Sequence, residues 1–201
     1  GINDGNEATV EITINPVNDD PPTINNGTFL TNKNESYTYN LLELNAIDVD
    51  NDTLSYSITS SPSHGTAEII NGTELRYIPE LNYNGEDELS VTVYDGLLTD
   101  PDTLSANAII SIIINDSPIV LDQILTVNED ENLEITLSGS DTDGDTLTYS
   151  ITNPPSNGTL IGTVPNLTYI PNEHYNGTDS FTYKANDGKV DSNEATITIN
   201  V

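Results

Sequence analysis

The stretch DTDGDTLTYSIT, Asp141–Thr152, decides the fold. It places Asp141, Asp143 and Asp145 within five residues and follows them at once with an alternating run. In that run Leu147, Tyr149 and Ile151 share one face, while Thr148, Ser150 and Thr152 share the other. Period two over six or seven residues marks a half-buried antiparallel strand, because successive side chains of a strand point to opposite faces. The arrangement already stands 93 residues earlier in DVDNDTLSYSIT, Asp48–Thr59, where Leu54, Tyr56 and Ile58 take the apolar places. A strand meant for burial is thus entered twice through a loop of mutually repelling carboxylates.

The two copies keep their order outside these stretches. PSHGT (62–66) answers PSNGT (155–159), and YIPELNYNGEDELSVTVYDG (77–96) answers YIPNEHYNGTDSFTYKANDG (169–188). The last strand, NEATITINV (193–201), has its counterpart at the front of the chain in NEATVEITINP (6–16). Residues 1–17 are therefore expected to be the closing strand of an upstream repeat, with one β-sandwich over 18–115 and a second over 116–201. On this reading the chain is a window on a longer array. No stretch of ten or more residues shows capped helical periodicity. Each unit carries about seven short strands separated by Gly, Asn, Asp and Pro turns, which predicts an all-β fold of tandem seven-stranded Greek-key sandwiches. Tyr56, Tyr77, Tyr83, Tyr149, Tyr169 and Tyr175 recur at matched positions and are expected to pack the cores.

Each unit is long enough to bury a core without a staple. The chain has no Cys, so disulfides and thiolate metal sites are excluded. Its 33 acidic residues face four basic ones (Lys33, Arg76, Lys184 and Lys189), for a net charge of −29. Such a chain is repelled by nucleic acid and by anionic membrane surfaces. No apolar run approaches the roughly 18 residues that span a bilayer, so direct membrane insertion is not expected. The acidity reads either as solubility in a salty habitat or as a surface loaded with cations.

The positions of the charges bear on that choice. In a Greek-key sandwich the loop of Asp141, Asp143 and Asp145 falls at the same end as Asp187, in NDG, and as Asn115 and Asp116, in INDSP (114–118). Two carboxylates about 4 Å apart repel by about 4 kcal/mol at an effective dielectric of 20. A cation relieves the repulsion, and an all-oxygen set of carboxylates and amides suits Ca²⁺ better than Mg²⁺. The loop is no EF-hand, since its sixth and twelfth residues are Thr146 and Thr152 rather than Gly and Glu. An Asx-rich turn with solvated side chains is the alternative.

On these motifs the chain resembles the tandem cadherin-like repeats of large prokaryotic cell-surface proteins. PVNDDPP (16–22) resembles the cadherin linker D-x-N-D-N-x-P through Asn18, Asp19, Asp20 and Pro22. The D-x-D motif is matched by Asp48/Asp50 and Asp141/Asp143, and the A-x-D position by Asp95 and Asp187. The resemblance implies that these residues ligate Ca²⁺, with Glu35, Glu86 and Asp87 as candidate ligands from the base of the upstream domain, and Glu129 with Asp179 serving a following repeat. Three departures stand out. Lys33 takes the place of Glu129, INDSP is shorter than INPVNDDPP, and the first unit has an additional LEL (42–44) before its D-x-D.

Both histidines are exchanged for Asn between copies, His64 for Asn157 and His174 for Asn82, which suits turn residues rather than a general base. No Ser/His/Asp set and no phosphate-cradling Gly-rich loop recurs, so the chain is expected not to be an enzyme. Eight Asn-x-Ser/Thr sequons, at Asn26, Asn34, Asn51, Asn71, Asn115, Asn157, Asn166 and Asn176, read as polar turns or as glycosylation sites. The expectation is an extracellular, cell-surface stalk or adhesin segment. Its partners are neighbouring repeats of the same chain, with homotypic or surface-protein contacts, and Ca²⁺ stiffens it. Two alternatives stay open: a filament or sheath subunit assembled by lateral packing or β-strand addition, and an accessory carbohydrate-binding module of a secreted enzyme.

Overall fold

The computed structural model describes residues 20–96 and 103–201. The expected closing strand over 1–17, and the candidate ligands Asn18 and Asp19, lie outside them. The chain forms two compact units, one drawn chiefly from Thr38–Tyr77 and Glu88–Ser111, the other from Leu30–Tyr37, Ile78–Asp87 and Ile112–Val201.

The first seven strands are β1 (Gly27–Asn32), β2 (Tyr37–Asn40), β3 (Ser55–Ser60), β4 (Gly65–Ile70), β5 (Glu74–Pro79), β6 (Gly85–Tyr94) and β7 (Ser105–Asn115). They form a sheet of order β1-β7-β6-β3 and a sheet of order β2-β5-β4. The second seven are β8 (Gln123–Thr126), β9 (Leu133–Thr136), β10 (Thr148–Asn153), β11 (Gly158–Thr163), β12 (Asn166–Pro171), β13 (Thr178–Asn186) and β14 (Ala195–Asn200). They repeat the plan as β10-β13-β14-β8 and β11-β12-β9. The fold is all-β, two sandwiches made of four sheets, as the alternation predicts.

The second sandwich shows how the pattern becomes a core. Along β13 burial strictly alternates, with Asp179, Phe181, Tyr183 and Ala185 inside. β14 turns Ala195, Ile197 and Ile199 inward, while Ile135 and Leu167 come from the other sheet, and Tyr149 and Ile151 of β10 pack against this cluster. β10 pairs antiparallel with β13, placing Tyr149 opposite Ala185 and Ile151 opposite Tyr183. β8 lies parallel to β14 at the sheet edge, with Ile197 opposite Gln123 and Asn200 opposite Thr126.

The repeated tyrosines divide into two groups. Tyr77 and Tyr169 are fully buried, as expected of core residues. Tyr83 and Tyr175 are instead partly exposed corner residues, their hydroxyls donating to the carbonyls of Glu86 and Thr178, each at 2.8 Å. The additional LEL of the first copy closes a single 3₁₀ turn, Leu41–Leu44, whose Asn40 side chain accepts the Leu42 N–H. Leu41 and Leu44 are fully buried, so the insertion adds to the core.

The exchanges of His for Asn follow from the backbone. Asn82 and His174 both sit in left-handed turns, at φ 64° and 59°, a conformation that Asn and His enter more readily than most residues. At the other pair the main-chain carbonyls face the matched tyrosines. The Tyr77 hydroxyl donates to the His64 carbonyl at 3.2 Å, and the Tyr169 hydroxyl lies 3.3 Å from the Asn157 carbonyl.

Candidate metal centres

Each acidic loop folds around its first aspartate. In the first loop the Asp48 Oδ1 accepts the Asp52 N–H at 3.0 Å, across Asn51 at φ 62°. In the second, the Asp141 Oδ1 accepts the N–H groups of Asp143 at 2.9 Å and Asp145 at 3.2 Å. One oxygen of the leading carboxylate is thus spent on shaping the turn, and the other remains. Asp48, Asp50 and Asp52 hold carboxylate oxygens within 4.8 Å of one another, and so do Asp141, Asp143 and Asp145.

The remaining oxygens point to the chemistry. Asp48 is 8% exposed and its Oδ2 has no hydrogen-bond donor; the Oδ2 atoms of Asp50 and Asp141 are likewise buried without one. An unsatisfied buried polar atom costs about 1–3 kcal/mol, more when charged. Asp95, at the end of β6 and 1% exposed, belongs to the first group, its Oδ1 accepting the Leu104 N–H at 2.7 Å. Desolvation, with the charges of Asp48, Asp50 and Asp95, pushes the Asp52 carboxyl above its ordinary range.

The second triad is tied into a larger set. The Asp143 Oδ2 accepts the Asp116 N–H at 2.7 Å. The Asn115 Nδ2 donates to the Asp187 Oδ2 at 2.9 Å, while the Asn115 Oδ1, on a residue 1% exposed, has no donor. The Asp187 Oδ1 accepts the backbone N–H groups of Lys189 and Val190, at 2.7 and 2.6 Å. Burial pushes the Asp187 carboxyl up, but these three donors outweigh it and hold the group below its ordinary range. Two cations enter this set: Lys189 Nζ lies 2.7 Å from Asp145 Oδ2, and Lys33 pairs with Asp116. The Lys33 hydrogen bond is the chief reason that the Asp116 carboxyl sits below its ordinary range.

Of the remaining candidates, Glu35 and Asp179 have hydrogen-bond partners of their own. Glu35 is exposed and accepts from the Asn32 side chain at 3.0 Å, as Glu131 does from Asn128 at 2.9 Å in the other copy. Asp87 is buried. Its counterpart Asp179 is also buried and takes four donors: Ser156 N–H and Ser180 N–H on Oδ1, Asn157 N–H and the Tyr169 hydroxyl on Oδ2. Asp52 and Asp145 complete the triads, and the third aspartate of each D-x-D-x-D run was the available signal. Hard oxygen donors in this number fit Ca²⁺.

Residues 18–107 and 115–200 each match the family described as bacterial Ig domain, Big_9. The chain belongs to the bacterial Ig domain family. Its two tandem Ig-like domains have structural similarity to cadherin repeats. Against protocadherin gamma B2 cadherin domains 3–6 the identity is 15% and the TM-score 0.42, over 92% of this chain and 52% of that one. Against chicken VE-cadherin EC1-2 the identity is 16% and the TM-score 0.36, over 87% of this chain and 97% of the other. An endo-fucoidan hydrolase of glycoside hydrolase family 107 matches at 22% identity and TM-score 0.37, over 94% of this bacterial Ig chain. The chain spans 29% of that hydrolase's length. No curated protein matches the chain.

Proposed function

We propose that this bacterial Ig segment is a non-enzymatic structural element of an extracellular or cell-surface protein, whose acidic loops take up Ca²⁺. Asp48, Asp50 and Asp52 with Asp95 would hold one ion. Asp141, Asp143 and Asp145 with Asn115, Asp116 and Asp187 would supply the donors for another. When bound, the ion supplies compact positive charge to oxygen atoms that otherwise repel one another. The observation carrying the reading is the pair of buried, donorless oxygens, Asp48 Oδ2 and Asn115 Oδ1. The tandem repeat supports the stalk role, in which ion loading stiffens the array.

Extracellular modules bind Ca²⁺ with dissociation constants of about 10⁻⁴ to 10⁻³ M. Loading at about 10 mM then adds about 1.4–2.7 kcal/mol per site. The melting temperature of the chain is expected to fall by about 6 °C or more on moving from Ca²⁺ to EDTA. Small-angle scattering should show a broader distribution of dimensions in EDTA. Identical melting and scattering in the two buffers overturn the reading.

A further inference from the structure

Lys189 distinguishes the two triads. The chain has four basic residues. Arg76 pairs with Glu68, Lys33 with Asp116 and Lys189 with Asp145, while Lys184 stands on β13 opposite Ser150, and among the described residues no ion pair joins a Lys or Arg to Asp48, Asp50 or Asp52. The copies differ here in sequence as well, Asp95-Gly96-Leu97 standing where the second has Asp187-Gly188-Lys189. Lys189 is held by its backbone, which donates to Asp187 Oδ1, and by its ammonium on Asp145 Oδ2 at 2.7 Å. The charges of Asp145, Asp143 and Asp187 all act on that ammonium.

Resting on the Ca²⁺ reading above, we infer that Lys189 is a tethered counter-ion of the second triad, so that the two triads load at different Ca²⁺ concentrations, the first before the second. An ammonium on Asp145 relieves the repulsion that a divalent ion would otherwise relieve. It also occupies one carboxylate oxygen and repels an incoming cation, so it must swing away before the ion settles. Its side chain is 32% exposed, which leaves it free to move into water. The first triad has no such competitor, and the donorless Asp48 Oδ2 stands ready for the ion. Lys189 therefore acts in opposite directions in the two states: it steadies the ion-free loop and weakens ion binding.

The test is a Ca²⁺ titration of the full chain followed by two-dimensional amide NMR, with Asn51 reporting the first loop and Gly144 the second. In the wild type the Asn51 signal should reach its midpoint at the lower concentration. Lys189→Leu, which copies the first repeat, and Lys189→Gln should lower the Gly144 midpoint about tenfold, or about 1.4 kcal/mol, and leave the Asn51 midpoint in place. Both variants should melt earlier than wild type in EDTA, which shows the counter-ion role without any bound ion. Equal wild-type midpoints, or a Gly144 midpoint unmoved by both substitutions, overturn the inference while the Ca²⁺ reading stands. If neither signal moves with Ca²⁺ in any of the proteins, the Ca²⁺ reading itself falls and the inference with it.

Discussion

Asp179→Ala is expected to destabilise the second sandwich by about 3–5 kcal/mol, the scale seen when a buried hydrogen-bonded charge network is broken. Asp179 is 4% exposed and serves four donors, three of them backbone N–H groups at 2.8–3.0 Å. Truncation leaves those three N–H groups without an acceptor in a site closed to water, and the Tyr169 hydroxyl with only the more distant Asn157 carbonyl at 3.3 Å. Asp179→Asn keeps the volume but is expected to fail nearly as badly. Each carboxylate oxygen takes two donors, so whichever becomes NH₂ faces an N–H of Ser156 and Ser180, or the N–H of Asn157 with the Tyr169 hydroxyl. The sign with pH follows from the same bonds. Burial raises the Asp179 carboxyl, but its donors outweigh burial and leave it below the ordinary value of 3.8. A depressed folded value means that the stabilisation is fully present above the unfolded value and is lost as pH falls through the folded one. Asp187, depressed likewise, acts in the same direction. Wild-type unfolding midpoints in urea should therefore fall below about pH 4, the unfolded aspartate value. The Asp179→Asn midpoint should fall less over that range. Equal pH slopes in the two proteins would refute the assignment.

The second large effect is expected at Gly158. A Cβ built there would lie 2.3–2.6 Å from three atoms of the Tyr169 side chain, which is fully buried and cannot retreat. Overpacking of this kind costs about 1–3 kcal/mol, and the depth of this overlap places it at the upper end. Gly158→Ala should lower the unfolding midpoint accordingly, and the double variant with Tyr169→Leu should be less unstable than the sum of the singles, because the smaller side chain vacates the clashing volume. Strict additivity would show that the clash is not the cause. Tyr169 is thus fixed at two points, its ring against Gly158 and its hydroxyl against Asp179 at 2.8 Å.

Much of this was legible in the residues alone. Period-two alternation in TLTYSIT and ITIN announces strands, and the 93-residue offset announces two copies, because both are local and repeated. The acidic triads were legible for the same reason. Pairing across distance was not. Lys189 reaches an aspartate 44 residues away, and Asp179 serves N–H groups 22 and 23 residues upstream; no local pattern encodes either. The corner role of Tyr83 and Tyr175 was hidden because a tyrosine in a repeat looks alike in a core and over a glycine. The 3₁₀ turn of Leu41–Leu44 was hidden by its brevity, though the left-handed Asn45 that ends it is a familiar stop.

The parallel pairing of β8 with β14 sets how the second domain meets tension. Its entering and leaving strands are direct neighbours running the same way, joined over the register from Gln123 to Thr126. A pull on the two ends of the domain drags these strands in opposite directions along their common axis. Every bond of the clasp is then sheared at once, and none can be peeled open before its neighbours.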